Sequence, residues 1–248
     1  MPVKDLAAAK QRLVPTLAPD ERRALARAML GDVLAALGAA GLDRVWVVTR
    51  DAEVAALAAA RGAEPLAPPT PAENGTHTAA VAFAQAEAGR RGARVFLTVP
   101  GDVPCVTAAE LAALAAAARP GAPAFAPSRS GLGTNGVALA PPGAMPLTFG
   151  EPSFDGHLAA ARARGLEPRV LALPGLALDV DTPEDLAALR AAGARTESAR
   201  LVAGWRARTE PPAPPAGHPR SEAASPTEPP APPAGHPRSE AASWSPLQ

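Results

Sequence analysis

An α/β fold is what this sequence predicts, with helices covering both faces of a mixed, mainly parallel sheet. Three observations carry that expectation. Segments with helical apolar spacing alternate with short strand-like runs from the N-terminus to about residue 192. The runs RVWVVT at Arg44–Thr49 and VFLTV at Val95–Val99 are nearly continuous in apolar residues, as strands buried on both faces are. Acidic and glycine-bearing turns come after such runs, and in open α/β sheets ligands bind beyond the carboxyl ends of the strands.

The elements follow in order. Met1-Pro2-Val3 is too short for a full opening strand, so the first strand is a stub or starts upstream. Pro19–Ala40 places Leu25, Met29, Val33 and Leu37 at helical spacing and stops at Gly41. Arg44–Thr49 is a strand, Ala52–Arg61 a helix ended by Gly62, and Ala63–Leu66 a brief strand. Thr76–Arg91 is helix, Val95–Val99 the strongest strand, and Ala108–Ala117 helix. Ala124–Pro127 and Gly136–Ala140 are strands, Phe154–Arg164 is helix and Arg169–Leu173 is strand. Pro183–Ala192 is the final helix, with Thr182 as N-cap and Pro183 at the first helical position.

Composition narrows the function. Aromatics are 3% of the chain and Tyr is absent, so Leu, Val and Ala must fill the core. Lys+Arg 24 balance Asp+Glu 24, which leaves no overall basic field for nucleic acid or anionic lipid. Cys105 is the only cysteine; it forms no internal disulfide and reads as a small apolar residue in a reducing compartment. The start MPVKDLAAAKQRL has no apolar signal core, and no run of about 18 apolar residues could span a membrane. A soluble cytoplasmic protein is expected. Its domain covers residues 1–208, and a tail covers 209–248. Thr209–Ser225 reads TEPPAPPAGHPRSEAAS, and Thr227–Ser243 repeats these 17 residues letter for letter. Such a proline-rich stretch cannot bury enough surface to offset chain entropy, so disorder is expected, with His218 and His236 solvated.

Five segments could carry chemistry. Lys4, Lys10 and Arg12 follow the opening stub, and three cations there suit the phosphates of a nucleoside triphosphate; alone, the segment reads as a solvated basic loop. Asp102, in Val99-Pro100-Gly101-Asp102-Val103-Pro104, emerges at the end of the strongest strand. Thr107 is the better cap for the next helix, which frees Asp102 for a hard cation such as Mg²⁺. In Leu178–Leu186, LDVDTPEDL, helix capping accounts for Glu184 and Asp185 but not for Asp179 and Asp181. Two residues apart, those carboxylates share a face in extended chain and repel unless a cation bridges them; a metal is the simplest remedy. Ser128–Gly136, SRSGLGTNG, permits close backbone approach to an anion, although such clusters are usually turns. Phe149–Phe154, FGEPSF, ends at a helix start where Ser153 reads as N-cap. His77 and His157 lie in helical stretches and read as surface or packing residues.

Taken in order, PVK-x4-AK-x-RL at Pro2–Leu13, ARAMLGDVLAAL, VVTRD, PGDVP, GLGTN, FGEPSF-x2-H and LDVDTPEDL resemble the guanylyltransferases of coenzyme F420 biosynthesis, relatives of the molybdenum-cofactor nucleotidyltransferases. The resemblance covers about residues 1–192. It implies a three-layer Rossmann-like fold of the nucleotide-diphospho-sugar-transferase type. It also implies transfer of GMP from GTP to the phosphate of 2-phospho-L-lactate, phosphoenolpyruvate or 3-phospho-D-glycerate, with release of diphosphate. Asp102, Asp179 and Asp181 would hold Mg²⁺; Thr134, Gly150 and Ser153 would contact the phospho-acid. Lys4, Lys10, Arg12 and Asn135 would bind the nucleotide, with Lys4, Lys10 and Asp102 catalytic. An F420 ligase would receive the product, and a homodimer follows by analogy only. One region departs: Glu73–Ala80 stands where the family shows a Gly-Leu-Asn-Ala-Ala-like stretch, with Thr78 at the Asn position. Two alternatives stand beside this reading: a molybdopterin-type or sugar-phosphate nucleotidyltransferase, and a non-catalytic interaction protein using the proline-rich tail.

Overall fold

The computed structural model describes residues 1–6 and 9–209; the expected proline-rich tail, apart from Thr209, lies outside the described residues. In chain order come α1 (Pro19–Ala39), β1 (Trp46–Val48), α2 (Ala52–Ala60), β2 (Glu64–Leu66), α3 (His77–Arg90), β3 (Phe96–Thr98) and α4 (Ala108–Ala117). Next are β4 (Ala124–Pro127), β5 (Thr134–Leu139), α5 (Phe154–Arg162), β6 (Arg169–Val170), α6 (Pro174–Ala177), α7 (Pro183–Ala191) and α8 (Glu197–Thr209). Local chemistry explains most helix starts. The side chains of Asp51 and Thr76 accept from the backbone N–H three residues on, and Thr107 with Glu110 and Thr182 with Asp185 form reciprocal capping boxes.

β1 pairs in parallel with β2, and Pro2 bridges Val48 in parallel, so the opening segment lies alongside β1. The other sheet has the order β3-β5-β4-β6; β5 runs antiparallel to both β3 and β4, and β6 is parallel to β4. The sheet is therefore mixed, as expected. Alternate residues supply opposite faces. Val47, Ala124, Ala126 and Ala138 pack with Leu30, Val33 and Leu34 of α1, Val54 of α2 and Leu111 and Leu114 of α4. Val48, Phe125, Val137 and Leu139 pack the other way, against Val81 and Ala84 of α3 and Leu158 and Ala161 of α5. Two helical layers thus enclose the sheet.

Three expectations need correction. Pro183–Ala191 is not the last helix: α8 follows, burying Val202 and Trp205 against Leu25 and Met29 of α1 and Leu186 and Leu189 of α7. Its start is capped from a distance, since Asp32 of α1 accepts from Glu197 N (2.7 Å), Ser198 N (2.9 Å) and Ser198 Oγ (2.6 Å). The strand expected at 169–173 shrinks to β6, and after three intervening residues Pro174 opens α6. The strand expected from Gly136 starts two residues earlier, at Thr134.

Candidate active site

The register of β5 gathers the site. Thr98 of β3 pairs with Val137 of antiparallel β5, so the end of β3 lies level with the beginning of β5. Asp102 beyond β3 and Thr134 and Asn135 at the head of β5 therefore meet at one rim. Val180 N donates to Asp102 O at 3.0 Å, which fastens the segment carrying Asp179 and Asp181 to the same place. Gly101 lies close against the opening stub: an added Cβ would stand 3.3 Å from Val3 Cγ2.

Lys10 organises the acidic cluster. Its Nζ donates to Asp102 Oδ2 and to Asp181 Oδ1, each at 2.7 Å, and its side chain is 6% exposed. Lys10 has φ 58° and ψ 44°, a left-handed conformation that costs a residue with a Cβ about 1–2 kcal/mol. Burial alone would push the ammonium down, but the pull of the two carboxylates and their hydrogen bonds outweighs it and holds the Lys10 pKa raised. Asp179 sits apart from this bridge, accepting from Asn135 Nδ2 at 3.0 Å. Burial is the main cause that raises the Asp179 carboxyl above its usual range, with Asp102 and Asp181 adding repulsion against the opposing Asn135 bond. The cation that relieves Asp102 and Asp181 here is thus a lysine. Among the described residues, no group of three His, Cys, Asp or Glu side chains is close enough to hold a metal by itself. One oxygen, Asp102 Oδ1, is buried without a hydrogen-bond partner.

A second cluster is made of hydroxyls. Thr134 Oγ1 lies 2.9 Å from His157 Nδ1 and accepts from Ser153 Oγ at 3.2 Å. Ser153 stands at the N-cap position of α5, yet its side chain makes no cap bond, which corrects the reading of it as a capping serine. The helix start is engaged otherwise: Ser153 N and Phe154 N both donate to Leu132 O, at 2.9 and 3.0 Å. Gly150 has φ 141°, a conformation open to glycine and strained for other residues.

The remaining expected residues divide. Lys4 Nζ donates to Gly75 O at 2.8 Å and so holds the loop before α3, while Arg12 is exposed. Asn135 Nδ2 also lies 3.1 Å from Leu176 O and from Ala177 O, so its amide nitrogen is committed to the 176–179 segment. Thr78, at the departing position, accepts from Phe149 N at 2.9 Å. One residue was missed. His157 is a buried member of the hydroxyl cluster, whereas His77 is a packing residue, edge-on to Phe149 with ring centroids 4.7 Å apart. Burial pushes both imidazoles down to about 4. The motif FGEPSF-x2-H offered a signal for His157, since its His falls on the helix turn next to Ser153.

Comparison with known proteins bears on this arrangement. The family model of guanylyl transferases, CofC-like, matches residues 1–219. A phosphoenolpyruvate guanylyltransferase of Sphaerobacter thermophilus is 46% identical over 187 residues, 75% of this chain and 88% of that protein. One of Rubrobacter xylanophilus is 42% identical over 194 residues, 78% of this chain and 93% of that protein. Among solved structures, a Desulfovibrio desulfuricans G20 protein provisionally described as a nucleotide-diphospho-sugar transferase superposes with a TM-score of 0.64. At 18% identity, covering 83% of this chain and 93% of that one, that likeness speaks to the fold. With a rim that joins an acid–lysine cluster to a hydroxyl cluster, and a match spanning the described residues, the chain belongs to the CofC-like guanylyl transferase family of nucleotidyltransferases.

Proposed function

We propose that the protein transfers the guanylyl group of GTP to the phosphate of phosphoenolpyruvate, in the cytoplasm, as a step of coenzyme F420 biosynthesis whose product an F420 ligase consumes. The observation that carries the choice of acceptor is that relatives 46% and 42% identical, aligned over most of their length, are phosphoenolpyruvate guanylyltransferases. A phosphate oxygen of the acceptor attacks the α-phosphorus of GTP; the bond to the β-phosphate bridging oxygen breaks, and diphosphate leaves in line. The attacking oxygen is already ionised at pH 7, so no general base is needed.

The donor chemistry suits Mg²⁺. Asp102 Oδ1 is an unpartnered hard oxygen, and Asp181 and Asp179 add two more carboxylates. Mg²⁺ is ordinarily held by one or two carboxylates with substrate phosphates completing the shell, so a closed three-carboxylate cage is not required. When bound, the ion would neutralise charge on the triphosphate. Lys10, with Lys4 and Arg12 from the same segment, supplies cationic donors to the phosphates, and Thr134, Ser153 and Gly150 receive the phospho-acid.

The test is direct. The purified protein is given GTP and Mg²⁺ with phosphoenolpyruvate, 2-phospho-L-lactate or 3-phospho-D-glycerate, and diphosphate release is measured. Release is expected with phosphoenolpyruvate foremost; a clear preference for another acceptor overturns the assignment. Asp102→Asn is expected to abolish release with the fold intact by circular dichroism, and undiminished release would sink the metal role of Asp102.

A further inference from the structure

His157 is 2% exposed and bonded at both ring nitrogens. Nε2 accepts from Thr148 N at 3.1 Å, and a backbone N–H can only donate. A neutral imidazole carries one proton, so with Nε2 acting as acceptor the proton resides on Nδ1. Nδ1–H then donates to Thr134 Oγ1 at 2.9 Å. Ser153 Oγ donates to that same oxygen at 3.2 Å. A hydroxyl oxygen has two acceptor lone pairs, and both are taken. With the oxygen accepting twice, the Thr134 proton is left over to donate, in a residue 7% exposed.

We propose that His157 is a positioning residue for the acceptor substrate, locked as the Nδ1–H tautomer so that the Thr134 hydroxyl can only donate and is held ready for an anionic oxygen of the phospho-acid. A buried donor without a partner is unfavourable, and a carboxylate or phosphate oxygen removes that cost, whereas a substrate group that itself donates does not. The ring cannot easily turn over. It stacks on Phe125 with centroids 5.7 Å apart and an interplanar angle of 17°, and meets Phe149 edge-on at 5.1 Å. Its bond to Thr148 N also secures the strand of chain leading to Gly150. One imidazole thereby sets both the direction of the Thr134 donor and the loop opposite it.

The inference rests on the assignment of Thr134, Gly150 and Ser153 to the phospho-acid, and the experiment separates the two. Two-bond ¹H–¹⁵N correlation of the imidazoles in the wild-type protein, which needs no catalysis, is expected to give His157 as the neutral Nδ1–H form between pH 6 and 8. The Nε2–H tautomer or an imidazolium overturns the proposal. His157→Gln places an acceptor near Nε2 and loses the Nδ1 donor; His157→Asn keeps a donor near Nδ1 and loses the acceptor. His157→Gln is expected to raise the KM for the phospho-acid about tenfold with the KM for GTP changed less than about twofold, and His157→Asn to restore most of the loss. Equal losses in both variants, tracking thermal stability, would leave His157 a packing residue only. Wild-type protein that is Nδ1–H but inactive on every phospho-acid would overturn the assignment of the site itself, and with it this proposal.

Discussion

At the scale of single residues, Lys10 does the most to define the site. It accepts backbone strain in order to deliver one ammonium to two carboxylates that would otherwise repel. That strain is testable. Lys10→Ala and Lys10→Gly both remove the charge, but only glycine adopts φ 58° freely, so Lys10→Gly is expected to be the more stable by up to about 1 kcal/mol. Urea denaturation of the pair measures it, and a more stable alanine variant would refute the strain. Both variants are expected to lose about a hundredfold in diphosphate release, the scale of losing one preorganised charge-stabilising group. Asp102 stands out in the sequence as an acid beyond β3 that no cap explains, and Asp179 and Asp181 as acids that the Thr182 cap does not explain, whereas Lys10 gains its place in the site only with the family resemblance. The pairing of Lys10 with Asp102 and Asp181, 92 and 171 residues away, was not legible there, since it depends on where β3 and the 178–181 segment end in space.

Among the elements, those governed by local chemistry fell where the sequence places them. α4 occupies Ala108–Ala117 behind its Thr107–Glu110 capping box, and β4 occupies Ala124–Pro127. The element overlooked, α8, owes its first turn to Asp32, which lies 165 residues before Glu197. Asp32→Ala is therefore expected to cost about 1–2 kcal/mol and lower Tm by roughly 2–8 °C through loss of that cap. An unchanged Tm would show that Val202 and Trp205 alone dock α8. Gly136 illustrates the opposite case, a glycine set by packing and not by its turn-like neighbours. A Cβ there would lie 2.6 Å from both Leu114 Cδ2 and Leu176 Cδ2, so Gly136→Ala is expected to destabilise by about 1–3 kcal/mol in the same denaturation assay.

For the whole molecule, the buried His157 and the half-buried His77 give stability a pH dependence with a definite sign. The folded pKa values of His77 and His157 lie near 4, below the ordinary 6.5, so between those values the unfolded chain binds more protons. Stability is fully present above about pH 6.5 and is lost as pH falls toward 4, by about 1.4 kcal/mol per pH unit for each imidazole. Urea midpoints at pH 7.5 and 5 check this, and a flat profile would contradict the lowered pKa of both rings. Removing residues 220–248, beyond the family match, is expected to leave kcat/KM unchanged.

By itself the sequence determined the α/β class, the capped helices, the acid beyond β3 and the family, because each is written in short-range patterns of polarity, caps and motifs. Only the tertiary structure decided that β5 runs antiparallel and so carries Thr134 and Asn135 to the rim. It likewise decided that Ser153 bonds Thr134 instead of capping α5, and that His157 is buried between Thr134 and Thr148. Those outcomes follow from strand register and close packing between segments far apart in the chain, and no local pattern encodes them.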